Sequence, residues 1–99
     1  MFVALSKFVV ANDYEEAVAL AFVRRPHLVD GADGFQRLDV MRPIENPKEF
    51  WLITYWRDEN SFRTWHRGHT YKASHEGIPK GMKLVQNMQE IRFFSYVAS

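Results

Sequence analysis

The chain has 99 residues, 46% of them hydrophobic, with 13 basic and 12 acidic side chains for a formal net charge of +1. That size suits a single domain over residues 1–99, able to bury a core without disulfides or a structural metal. A near-neutral charge without a run of lysines or arginines excludes the one-sided positive field that nucleic acid demands, and the lack of cysteine excludes disulfides, thiolate ligands and Cys nucleophiles.

Residues 2–10 are rich in β-branched and aromatic types and alternate, with Phe2, Ala4, Ser6, Phe8 and Val10 on one face, which predicts a first strand. The same run has no positive flank and is broken by Lys7, too short for a signal-peptide core or a membrane span. A cytoplasmic protein with no membrane partner is the expectation. Asn12 stands three residues before Glu15, the spacing of a capping box, so a helix is expected to begin there. Its apolar stripe is Tyr14, Ala17, Val18, Ala21 and Phe22, and Arg25 extends that face before Pro26 disfavours further helix.

Residues 35–41 alternate again, residues 45–48 around Pro47 read as a turn, and residues 50–56 are apolar on both faces. In this third strand Phe50, Leu52 and Trp56 point one way and Trp51, Ile53 and Tyr55 the other. Asp58 is placed to cap a second helix whose stripe is Phe62, Trp65, His66 and His69, with Gly68 as terminator and a further helical turn at residues 71–75. Residues 84–97 then predict a long last strand.

The order β-α-β-β-α-β is that of a ferredoxin-like α+β sandwich, two helices on one face of a four-stranded antiparallel sheet. Strands one, three and four carry apolar residues on both faces, so the face without helices is expected to meet a second sheet, making a homodimer closed as a dimeric α+β barrel.

Several residues invite a chemical reading beside a purely structural one. Trp65 lies on an apolar helical stripe, where core packing is the default; Phe22 packs equally well without a ligand, and Arg25 can snorkel past it into water. His75 near a helix end ordinarily bonds carbonyls or solvent. His66, His69 and His75 could approach a zinc or non-haem iron site, but no well-placed carboxylate completes it.

Taken together, Phe62, Trp65 and the segment Tyr71-Lys72-Ala73-Ser74-His75 resemble, along with the element order of the whole chain, the antibiotic biosynthesis monooxygenase (ABM) superfamily, and within it the IsdG-like haem-degrading monooxygenases. Those relatives place a tryptophan on the second helix ten residues before a histidine in a Lys-Ala-Ala-His-like segment, the separation of Trp65 and His75, and a phenylalanine and arginine three apart on the first helix, matched by Phe22 and Arg25. The resemblance implies that His75 binds haem iron from the proximal side, that Phe22, Phe62 and Trp65 wall the macrocycle with Trp65 distorting it, and that Arg25, with Lys72 or Lys80 nearby, faces a propionate. It further implies O2-dependent opening of the porphyrin with release of iron, haem serving as cofactor and substrate and an external reductant supplying electrons. Where the family usually has an asparagine on the first strand, this chain has Ser6, which completes the implied catalytic set of Ser6, Trp65 and His75. Other members of the superfamily oxidise quinols or polyketide-like aromatics without a cofactor, a chemistry in which His66 or Tyr71 would assist deprotonation. A non-catalytic haem carrier is the third expectation, compatible with Ser6.

Overall fold

A computed structural model describes residues 1–25, 27–68 and 81–99. Its elements are β1 (Phe2–Val9), α1 (Glu15–Val23), a 3-10 turn (Leu28–Gly31), β2 (Phe35–Met41), β3 (Glu49–Trp56), α2 (Glu59–His66) and β4 (Glu90–Ser95). The four strands pair antiparallel in the order β2-β3-β1-β4, the ferredoxin-like α+β arrangement expected from the element order. β1 lies inside the sheet, running from the Phe2–Trp56 pair to the Val9–Glu49 pair on one side and from Phe2–Ser95 to Lys7–Glu90 on the other.

Two local expectations are corrected. Asn12 does not cap α1: the helix starts at Glu15 without any side-chain cap, and the Asn12 amide instead donates to the Gly81 carbonyl (2.9 Å) and accepts from the Lys83 N–H (3.3 Å). Lys48 anchors this end of the helix in another way, donating to the Glu15 carboxylate (3.0 Å) and the Asn12 carbonyl (3.0 Å) and so tying the start of α1 to the β2–β3 turn. The Glu15 carboxyl accordingly sits below its ordinary pKa, first through its own backbone N–H and then through Lys48.

The second correction concerns the last strand, which begins at Glu90 instead of residue 84. Leu84 makes an isolated bridge to Val10, yet Lys7 pairs with Glu90, so two residues of β1 are opposed by five of the incoming chain. The three extra residues arch out of the ladder, and Asn87 turns the arch with a left-handed backbone (φ 66°), a conformation that asparagine tolerates better than most residues.

Packing on the helix-covered face of the sheet splits in two. One cluster gathers Ala4, Val29, Trp56 and Phe62, with Phe2, Phe35 and Trp65 against it; the other gathers Val10, Val18 and Phe50, with Phe8, Phe22 and Leu52. Trp56 is completely buried, edge-on to Phe35 (5.4 Å) and Phe62 (5.7 Å), and its indole N–H meets no acceptor among the described residues. The alternate residues Val3, Leu5, Trp51, Ile53 and Tyr55 fall on the opposite face, as the two-sided pattern of β3 requires.

Asp58 caps α2 as expected. One carboxylate oxygen accepts from the Ser61 N–H (2.8 Å) and hydroxyl (2.7 Å), the other from Arg57 (3.2 Å). These bonds, the Ser61 hydroxyl foremost, lower its pKa from 3.8 to about 2. Gly34 (φ 81°) lies directly against the buried Ser61 side chain, so an added Cβ would collide with it, and its carbonyl accepts from the Arg57 N–H (2.7 Å).

Two outcomes are expected in urea denaturation. Gly34→Ala lowers stability by about 1–3 kcal/mol, because both the positive φ and the close approach oppose a side chain. Asp58→Ala is less stable than the parent at neutral pH; since the carboxylate's pKa is depressed on folding, its contribution is complete above about 4 and disappears as pH falls through about 2, closing the gap between the two proteins.

Candidate active site

The inward face of β1 reads Phe2, Ala4, Ser6, Phe8: large, small, small, large. Their partners across β3 are Trp56, Thr54, Leu52 and Phe50, so the bulkiest rings stand at the two ends of the sheet and the middle is left low. Phe8 stacks on Phe50 (5.4 Å) beneath Phe22 of α1, while Phe2 and Trp56 meet Phe62 of α2 (5.5 and 5.7 Å). Between these two piles lies a cavity of about 380 Å³, within the range of small-molecule sites.

Ser6, Phe22, Arg25, Phe62 and Trp65 all line this cavity, so β1, α1, α2 and the chain just beyond α1 bring together five of the six residues singled out from the sequence; α1 ends at Val23, so Arg25 reaches the wall from past the helix and not from its face. The sixth, His75, lies outside the described residues, as do Tyr71, Lys72, Lys80 and His69. Trp65 belongs to core and wall at once: it packs on Trp56 (5.4 Å) and Phe62 (6.3 Å) and also faces the cavity. Among the described residues no group of three His, Asp or Glu side chains converges on a metal-sized space.

Polar chemistry on the wall comes mainly from Ser6, Thr54 and four basic residues, Arg25, His27, Arg63 and His66, and no acidic residue lines it among those described. Arg25 donates to Asp30 (3.0 Å), whose other carboxylate oxygen is 3.2 Å from His27 Nδ1. Partial burial opposes ionisation of Asp30, but the hydrogen bonds from Arg25 and then His27 outweigh it and hold the carboxyl below its ordinary pKa. On the other side, Arg63 bonds Glu59 (3.2 Å) and lies 4.6 Å over the Phe93 ring.

His27, Arg63 and the β4 residues Ile91 and Phe93 were not singled out by sequence pattern. His27 follows a proline and leads a short turn, outside any periodic segment, and Arg63 reads as a solvated helix residue paired with Glu59. Only the adjacency of Arg63 to Phe62 in the sequence pointed toward the site.

The family model described as antibiotic biosynthesis monooxygenase matches residues 1–77. A heme oxygenase (mycobilin-producing) of Mycobacterium tuberculosis is 29% identical over 56 residues, 57% of this chain and 52% of that protein, so the match spans about half the length of the relative. Among solved structures, the heme-degrader MhuD of Mycobacterium tuberculosis with two hemes bound in its active site superposes with a TM-score of 0.79 at 20% identity, covering 100% of this chain and 98% of the other. SnoaB, a cofactor-independent oxygenase of Streptomyces nogalater, superposes with a TM-score of 0.77 at 15% identity, covering 99% and 94%. Both likenesses establish the fold.

The low middle of β1 is open to a direct check. Ser6→Leu fills part of the cavity with apolar volume, so unfolding free energy is expected to rise by about 1 kcal/mol while binding of an uncharged fluorescent probe such as N-phenyl-1-naphthylamine falls. Denaturant titration and probe fluorescence measure the two effects separately.

Proposed function

The chain belongs to the antibiotic biosynthesis monooxygenase family, and on that premise we propose that it binds haem and, with O2 and an external reductant, opens the porphyrin and releases iron. The observation that carries this reading is the convergence of Ser6, Phe22, Arg25, Phe62 and Trp65 on one cavity whose wall, among the described residues, is apolar apart from two hydroxyls and basic groups and carries no acid. Haem matches such a wall chemically, being a flat apolar ring with two carboxylates. Bound there, haem supplies the redox chemistry and is itself the substrate.

In this proposal the protein's part is fit and electrostatics. His75 is the iron ligand, and Phe22, Phe62 and Trp65 flank the ring. Trp65 is backed by the buried Trp56 at 5.4 Å, so it cannot retreat when a ligand presses on it. Arg25 receives a propionate. Ser6 presents a hydroxyl donor from the cavity floor; being shorter than an asparagine side chain, it acts at hydrogen-bonding distance or through one water.

The proposal extends to a homodimer. Val3, Leu5, Trp51, Ile53 and Tyr55 give the face opposite the helices an apolar character that a second copy of the sheet would cover. Sedimentation is expected to give a dimer for the parent and a monomer for Ile53→Glu.

A second reading is cofactor-independent oxidation of a quinol or polyketide-like aromatic, favoured by the position of His66 on the cavity wall, where an imidazole can take a proton from a phenolic substrate. Oxygen uptake separates the two: consumption with quinols and without haem supports this second reading.

Titration with haemin is expected to give a saturable Soret band at one haem per chain, lost in His75→Ala and retained in Trp65→Phe. Ascorbate under air is expected to bleach the band, more slowly in Ser6→Ala and faster in Ser6→Asn. A Soret band unaltered by His75→Ala removes the assigned ligand, and a band stable to ascorbate leaves haem carriage without degradation.

A further inference from the structure

The four basic residues on the cavity wall are not equivalent. Arg63 is bonded to Glu59 of its own helix and lies over Phe93 of β4, and the His66 ring lies against Phe62 (5.5 Å). Arg25 and His27 instead share one carboxylate, Asp30, at 3.0 and 3.2 Å. The Arg25 side chain is only 19% exposed and reaches inward, whereas that of His27 is 58% exposed and stands at the rim.

The backbone holds this trio in place. His27 adopts a left-handed conformation (φ 58°, ψ 26°), which is unfavourable for a residue bearing a Cβ and recurs at ligand-gripping positions. Its carbonyl accepts from the Asp30 N–H (3.1 Å), closing the 3-10 turn so that residues 27 and 30 present their side chains to each other. Strain of this kind is retained where the surrounding contacts repay it, and here the contacts formed are those to Asp30 and the cavity.

We infer that Arg25, Asp30 and His27 form one anion-receiving clasp at the cavity rim, with His27 a second binding residue for a carboxylate of the ligand and Asp30 the positioning residue that holds both cations to it. The clasp deepens the haem reading, on which it rests for the identity of the ligand alone. Asp30 occupies one of the five N–H donors of the Arg25 guanidinium, leaving others for a ligand oxygen. His27 presents Nδ1 to Asp30; when the ring is protonated its Nε2–H remains as a donor, and when it is neutral that nitrogen carries a lone pair, which repels an anion. The clasp therefore grips an anion more strongly on the acid side of the histidine range. The charged or titratable groups around it are Arg25 from just past α1, Asp30 from the turn, and Arg63 and His66, which line the cavity from α2.

Two fluorescent probes of similar shape and different charge test this without haem. 8-Anilinonaphthalene-1-sulfonate is an anion, and N-phenyl-1-naphthylamine is uncharged. Their affinity ratio, measured at about pH 5.5 and about pH 8.5, isolates the anion-selective part of binding. The parent protein is expected to favour the anionic probe about 5-fold more at the lower pH. His27→Asn, chosen because asparagine also tolerates the left-handed backbone, abolishes that rise. Asp30→Ala, which releases both cations from their shared carboxylate, lowers the ratio at the acid pH, and Asp30→Asn, which keeps an acceptor for Arg25, restores it in part, a rescue that loss of a purely structural contact would not produce. An unchanged ratio and pH dependence in His27→Asn overturns the clasp. Failure of the haem reading is separately visible as absence of a Soret band in a protein whose probe ratio still depends on His27.

Discussion

Everything at the candidate site depends on a size gradient along one face of one strand. β1 is flanked on both sides by other strands, and its inward residues set the height of the floor on which both helices rest. With Phe2 and Phe8 at the ends and Ala4 and Ser6 between, α1 and α2 are each supported on aromatic piles that do not meet, and the helices bridge a gap they cannot fill. Close packing is the ordinary condition of a protein interior, and a void of this size lined by apolar atoms forfeits contacts that neighbouring side chains would otherwise make. Larger aliphatic residues at positions 4 and 6 would recover part of those contacts. The structure retains small ones, and the cost of the gap is borne by the rings at its two ends, especially the fully buried Trp56 and Phe50.

The distribution of charge around the gap follows a related logic. No carboxylate lines the wall among the described residues; Asp30 and Glu59, which are not part of the lining, bond Arg25 and Arg63, which are. Each basic side chain is thereby oriented and partly neutralised before any ligand arrives. The residual positive character of the wall is modest beside its apolar area.

Much of this was readable from residue order because it rests on short-range rules. The alternation of β1, the two-sided β3 and the Asp58 cap are local patterns, and the structure has each of them. The misreadings arose where a distant partner outbid a local one. Asn12 had the spacing of a capping box, but the segment at residues 81–83 comes within reach of its amide, and Glu15, its expected partner, is bonded by Lys48 instead. The last strand looked continuous from residue 84, but its break depends on how five residues are accommodated against two of β1, which no periodicity encodes. His27 was invisible for a third reason: its importance lies in a left-handed backbone and a carboxylate three residues on, neither of which leaves a hydrophobic signature. Phe22, Arg25, Phe62 and Trp65 were legible because resemblance supplied what their helical stripes could not, a reason to regard packing residues as a cavity wall.

The two faces of β1 also tie the cavity to the opposite side of the sheet. Side chains alternate along a strand, so the backbone that presents Ala4 and Ser6 to the cavity necessarily presents Val3, Leu5 and Lys7 to the other face. A slip of one residue in the pairing with β3 would exchange the two sets, placing Leu5 and Lys7 in the gap and Ser6 among Trp51, Ile53 and Tyr55. The cavity would fill and the outer face would lose its apolar continuity in the same step. Register is thus specified from both sides of the sheet at once, by the rings that frame the gap and by the aliphatic and aromatic surface behind it. The three-residue arch before β4 leaves that specification intact, because it is accommodated entirely on the partner's side of the ladder while β1 itself stays regular from Phe2 to Val9.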